Sequence, residues 1–144
     1  MRSKFKHGVV FGVFDKFHQG HQFFLKKASE QIEKCTAIVA RDAVVGILKN
    51  KKPGDSEQVR LANVLASGHI TNAELGDEKT SAYDVIKRLQ PNVICLGYDQ
   101  KALEQDLRDK MNKGIIHIIP IFVIEAHQPE RYHTSLLNDV GQET

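Results

Sequence analysis

The chain predicts an α/β fold, a single Rossmann-like, doubly wound domain over residues 1–144 with a five-stranded parallel sheet. Three observations lead there. Short apolar runs alternate with segments of helical period along the whole sequence. The runs are nearly continuous rather than alternating, as strands buried on both faces require. No internal repeat or low-complexity linker divides the chain, and 144 residues suffice for one ordinary core.

Taken in order, HGVVFGVF is a strand rich in Val and Phe. Gln22 to Lys34 carries Phe24, Leu25, Ala28 and Ile32 near helical spacing, and CTAIVAR is a second buried strand. A polar segment, ARDAVVGILKNKKPGD, leaves that strand. Ser56 to Ala66 reads as a helix with Val59, Ala62, Leu65 and Ala66 inward, widened by Leu61 and Val64. HITNAEL is a weaker third strand, followed by a break at Gly76 and Asp77. Ser81 to Leu89 is a helix stopped by Pro91, and NVICLG is the fourth strand. Lys101 to Asn112 is a helix, GIIHIIPIFVI a fifth strand around Pro120, and a short helix follows Thr134. Right-handed crossovers between such strands build a doubly wound sheet, whose ligands bind beyond the strand carboxyl ends.

A net charge of +2 gives no global field for nucleic acid or an anionic membrane, so neither is an expected partner. No apolar run approaches the roughly 20 residues that span a bilayer, and the basic start MRSKFKHGVV is too short in apolar residues for a signal peptide. Cys35 and Cys95 lack any CxxC or CxxH spacing and read as two reduced core thiols. The expected location is cytoplasmic.

Chemistry concentrates in GVFDKFHQGH, from Gly12 to His21, at the junction of the first strand and helix. The dinucleotide fingerprint GxGxxG and the P-loop GxxxxGK[ST] are both absent. Here Gly12 and Gly20 let backbone pass close to a ligand, and the helix N-terminus suits a phosphate. His18 and His21, three apart, can share one side of the first turn. The pair reads three ways: imidazole donors for a phosphate, two ligands of a zinc or nickel ion, or surface histidines of structural use. No third ligand at a familiar spacing supports the metal. His69, His117, His127 and His133 carry no functional assignment, and His117 is expected inside the fifth strand.

These residues carry a resemblance. GVFDKFHQGH resembles the G-[TV]-F-D-x-x-H-x-G-H signature of the cytidylyltransferase-like nucleotidyltransferases, matching at Gly12, Phe14, Asp15, His18, Gly20 and His21. AIVARDAVVGILKNKKPGDSEQVR is similar to the family's second block, with lysines followed by E-x-x-R at Glu57 and Arg60. VICLGYDQ resembles its G-x-D block at Gly97 and Asp99, and HTSLL its final Ser/Thr pair at Thr134 and Ser135. Two positions depart from the pattern. Val13 stands where many members have Thr, so that contact comes from backbone or is absent. Arg131 lies only three residues before Thr134.

The resemblance implies an enzyme in which an acceptor phosphate attacks the α-phosphorus of a nucleoside triphosphate and pyrophosphate leaves. His18, His21 and Lys49 are then catalytic. Gly12, Val13, Phe14, Gly20, Gly97, Asp99, Thr134 and Ser135 bind the nucleotide, while Asp15, Lys51 and Arg60 meet the acceptor. Asp15 also suits ordering the loop or helping to hold the metal, and Arg60 an ion pair with Glu57. Mg²⁺ is expected to arrive with the triphosphate, without a protein cage. The VARD stretch, the K-x-K-K-P loop and GYDQ resemble the archaeal-type FAD synthases, which adenylylate FMN. Glycerol-3-phosphate cytidylyltransferases and ATP-dependent heptose phosphate transferases share the architecture, and ATP is favoured over CTP. A non-catalytic nucleotide sensor is the alternative of another class. The resemblance also implies a homodimer.

Overall fold

Val9 and Val10 are completely buried, each under a different face of the sheet, which puts their strand at its centre. The computed structural model describes residues 4–49, 52–79 and 82–125. That central strand, β1 (Phe5–Gly12), pairs in parallel with β2 (Ile32–Val39) on one side and β4 (Val93–Gly97) on the other. β3 (Asn72–Leu75) lies beyond β2 and β5 (Ile121–Ile124) beyond β4, giving a five-stranded parallel sheet of order β3-β2-β1-β4-β5. The chain runs outward from β1 to β3, then crosses back to β4. Strand order therefore reverses between β1 and β4, and the carboxyl ends of these two strands, Gly12 and Gly97, mark where this fold class takes a ligand.

Helices α1 (Gln19–Gln31) and α3 (Glu57–Ala66) cover one face through Phe24, Leu25, Ala28 and Val64. Helices α4 (Asp84–Leu89) and α5 (Lys101–Asn112) cover the other through Val85, Ile86, Leu107 and Met111. Both thiols lie buried in the sheet, Cys35 on β2 and Cys95 on β4. Among the described residues no helix is long and apolar enough to cross a membrane.

The structure corrects several expected boundaries. Ile32 is not on the stripe of α1 but opens β2, where its branched side chain is 2% exposed. The segment read as polar after β2 contains a helix, α2 (Asp42–Lys49), with Val44 and Val45 buried. The inner face of α3 is rotated from the expected one: Val59 and Leu65 are 46% and 45% exposed, while Arg60 and Val64 are buried. β5, an edge strand, begins only after Pro120, whose carbonyl accepts the Ile94 N–H but which has no N–H to return to β4. His117 therefore lies outside the strand and is exposed. The helix expected after Thr134 falls outside the described residues.

Candidate active site

The first turn of α1 is organised by the two histidines themselves. His18 is the N-cap residue, and its Nδ1 accepts the Gly20 N–H at 3.0 Å. The His18 N–H in turn donates to His21 Nδ1 at 3.1 Å, closing a capping box made of two imidazoles instead of the usual Ser and Glu. The rings stack at 3.8 Å between centroids. Since both Nδ1 atoms accept main-chain protons, each neutral ring must carry its proton on Nε2. One backbone arrangement thus fixes two tautomers. Gly20 is small because the His18 ring lies over it: a Cβ there would sit 3.0 Å from Cε1.

His21 is 3% exposed, stacked on Phe17 at 5.4 Å and edge-on to Phe14 at 5.5 Å, whereas His18 is exposed. The turn leading in is strained, with Phe14 at φ 55° and Lys16 at φ 49°. Left-handed backbone costs about 1–2 kcal/mol for an L-residue, and the fully buried Phe14 ring offsets it. That ring also explains Gly12, whose Cβ would lie 2.6 Å from it. Phe14 therefore offers a ligand only its backbone. The Gly12 carbonyl accepts from Ala40 N–H at 3.0 Å and the Val13 carbonyl from Arg60 at 2.8 Å.

Arg60, expected at the acceptor, is 0% exposed and has no surface to offer one. Its guanidinium donates to the carbonyls of Val13 (2.8 Å) and Asp55 (3.1 Å) and to Asp42 Oδ1 (2.7 Å). Glu57 is not its ion-pair partner; Glu57 Oε1 instead accepts the Asp42 N–H at 2.7 Å, at the start of α2. Asp15 accepts the N–H groups of Gly54 and Asp55, both at 2.8 Å. Burial pushes the Asp15 carboxyl up, but these amides and the Arg60 and Lys16 charges outweigh it, leaving the pKa below its ordinary 3.8. The structure thus joins the loops after β1 and before α3 through Asp15 and Arg60.

Gly97 ends β4 opposite this turn, and a Cβ on it would lie 2.9 Å from Asp99 Oδ1. Sequence reasoning missed Gln100, whose side chain accepts from Gly97 N–H and donates to the Phe11 carbonyl. Its only signal was membership of GYDQ. Lys49 is the last residue of α2. Its side chain lies outside the described residues, as do Lys51, Arg131, Thr134 and Ser135. A cavity of about 510 Å³ borders the site, lined by Lys16, Phe17, Gln22, Asp55, Asn63, Ala66 and Ser67. It shares Phe17 with the histidine stack, but neither histidine lines it.

Two imidazoles with protonated Nε2, at the positive end of a helix and beside a switch point, form an arrangement suited to anionic phosphate oxygens. The profile of the cytidylyltransferase-like family matches residues 9–139, nearly the whole chain. The chain belongs to this family. As a cytidylyltransferase-like protein with FAD synthase homologues, it is a nucleotidyltransferase enzyme. It is 34% identical over 127 residues to the FAD synthase of Pyrococcus horikoshii, covering 88% of this chain and 86% of that one. The FAD synthase of Methanosarcina barkeri is 37% identical over 102 residues, 71% of each chain. Among solved structures, the lipopolysaccharide core biosynthesis protein of Thermoplasma volcanium superposes with a TM-score of 0.75 at 31% identity, over 86% of this chain and 99% of that one.

Proposed function

We propose that this nucleotidyltransferase moves AMP from ATP to the phosphate of FMN, forming FAD and pyrophosphate. The observation that carries the chemistry is the imidazole capping box, which commits both Nδ1 atoms to backbone and so puts each neutral ring's proton on Nε2. The likeness to FAD synthases at 34% and 37% identity supports ATP and FMN as the substrate pair. A phosphate oxygen of FMN attacks the α-phosphorus, and the bond from that phosphorus to its bridging oxygen breaks. Pyrophosphate departs with the electron pair. The attacking phosphate is already ionised near neutral pH, so no strong base is needed, and catalysis is positioning with charge stabilisation.

In this reading His18 and His21 donate Nε2 protons to the oxygens of the reacting phosphorus. The backbone around Gly12, Val13, Phe14 and Gly20 frames the phosphates, and Gly97 with Asp99 meets ribose and base. Lys49 or Lys51 neutralises the reacting anions, and Thr134 and Ser135 bind the outer phosphates. Asp15 and Arg60 position the loops around the acceptor instead of touching it. Among the described residues no group of three His, Cys, Asp or Glu is placed to hold a metal. In this reading Mg²⁺ would arrive with the triphosphate, where it would neutralise phosphate charge. We assign the enzyme as one domain to the cytoplasm, in keeping with its two buried free thiols, and as a homodimer testable by light scattering.

The test is pyrophosphate release with Mg²⁺, crossing ATP and CTP against FMN, glycerol 3-phosphate and heptose phosphates. Release with ATP and FMN alone is expected. Turnover with CTP and glycerol 3-phosphate, and none with FMN, would replace this reading.

A further inference from the structure

The ladder between β1 and β4 stops early. Its register pairs Gly8 with Val93, Val9 with Ile94 and Val10 with Cys95, and goes no further. On its other edge β1 stays paired with β2 as far as Gly12 and Val39. One more step toward β4 would set Phe11 opposite Leu96 and direct the Gly97 N–H at the Phe11 carbonyl. Both groups are instead taken by one side chain. Gly97 N–H donates to Gln100 Oε1 at 2.7 Å, and Gln100 Nε2 donates to the Phe11 carbonyl at 2.9 Å. The orientation of the amide follows from its partners, since an N–H needs the oxygen and a carbonyl needs the nitrogen.

Gln100 is itself fixed by its main chain. Its N–H donates to the Gly97 carbonyl at 3.0 Å, and its carbonyl accepts from Glu104 N–H as α5 begins. It occupies the N-cap position of α5, yet its side chain makes no capping bond there. The side chain is turned away from the helix and into the sheet.

We propose that Gln100 is a positioning residue, its amide spliced into the parallel ladder as a spacer that holds the nucleotide crevice open. This rests on reading that crevice as the nucleotide site. Only a glutamine serves. Asn is one methylene short, Glu cannot donate to the carbonyl when ionised, and Ala leaves both strand ends without a partner. Without the amide, either Gly97 bonds Phe11 directly and the mouth narrows, or both groups lose their bonds. In each case Gly97 to Asp99 shift relative to the His18 turn.

The experiment measures binding of a non-hydrolysable Mg–ATP analogue to wild type, Gln100→Ala and Gln100→Glu, with thermal stability and the KM for FMN alongside. Both variants should bind the analogue about tenfold more weakly, the size expected when one or both of these part-buried hydrogen bonds are lost. The KM for FMN should stay within about twofold. Gln100→Glu, which keeps the side-chain length and the bond from Gly97, guards against a simple folding failure in Gln100→Ala. Unchanged analogue affinity in Gln100→Ala overturns the proposal. So does an equal loss for nucleotide and FMN that tracks a fall in stability, which would make Gln100 a general scaffold. The binding arm uses no acceptor, so it reads Gln100 even where wild type fails to turn over FMN.

Discussion

At the scale of single residues, His18 has two separable duties. Its Nδ1 holds the helix start, and in the proposed reaction its Nε2 donates to the reacting phosphate. Asn is among the best N-cap residues and can accept the Gly20 N–H, but has no group where Nε2 lies. His18→Asn should therefore lower kcat by about 10²–10³, the range for removing one transition-state donor, while the melting temperature stays near wild type. Steady-state kinetics and a thermal melt on the same preparation check this. Parallel losses of stability and activity would reduce the histidine to a cap. Such a residue is half legible in sequence. The H-x-G-H spacing announced the pair and its helix terminus, but that the rings cap each other's turn depends on ring orientation. The role of Gly20 was read as close approach to a ligand, and in the structure the space it leaves is filled first by the His18 ring.

At the scale of elements, α3 shows what a pattern of apolar residues leaves out. Val59, Ala62, Leu65 and Ala66 gave a consistent stripe, but the helix is turned so that Arg60 points inward. A hydrophobic count cannot foresee a buried arginine, because its burial depends on carbonyls and a carboxylate supplied by distant loops. Those partners are Val13, Asp55 and Asp42. Removing the guanidinium strands them. Arg60→Met should destabilise the fold by about 3 kcal/mol, at the low end for breaking a buried pair because Asp42 is partly solvated. Equilibrium urea unfolding reads this directly; a change below about 0.5 kcal/mol would mean the loops reorganise freely. β1, β4 and α5 were legible because local pattern and tertiary environment agree there. α2 was missed because Arg41 before it and Asp42 and Lys49 at its ends made an amphipathic helix look like a polar loop, and β5 was overextended because the mostly apolar run Ile115 to Ile119 leads into it without joining the sheet.

At the scale of the whole molecule, two groups tie folding to pH in the same direction. Burial, with the charge of Lys34, holds His7 below its ordinary 6.5. The unfolded chain then takes up that proton first, so His7 contributes stability above about pH 6.5 that is lost as pH falls through its folded value. Asp15, also depressed, contributes above 3.8 and loses its contribution at more acidic pH. Melting temperature should hence fall on acidification from pH 7 to 5.5, and His7→Asn should flatten that limb. A flat wild-type limb would contradict the assignment. The thiols take no part: burial pushes Cys35 and Cys95 up to about 12. The sheet itself was legible as alternating strands and helices. A reversal of strand order was expected from the fold class, but its place between β1 and β4 and the side chain that bridges them there were not. Gln100 follows a tight turn and precedes a helix, and nothing local distinguishes it from a solvent-facing amide.

The central claim is that this chain joins AMP to FMN through the paired imidazoles. Its most direct test is chromatographic detection of FAD after incubating the wild type, and separately His18→Asn, with ATP, Mg²⁺ and FMN. FAD and equimolar pyrophosphate are expected from the wild type, and a rate lower by about 10²–10³ from a variant that still melts normally. Equal FAD formation by both proteins, or none by the wild type while it turns over another phosphate acceptor, would contradict it.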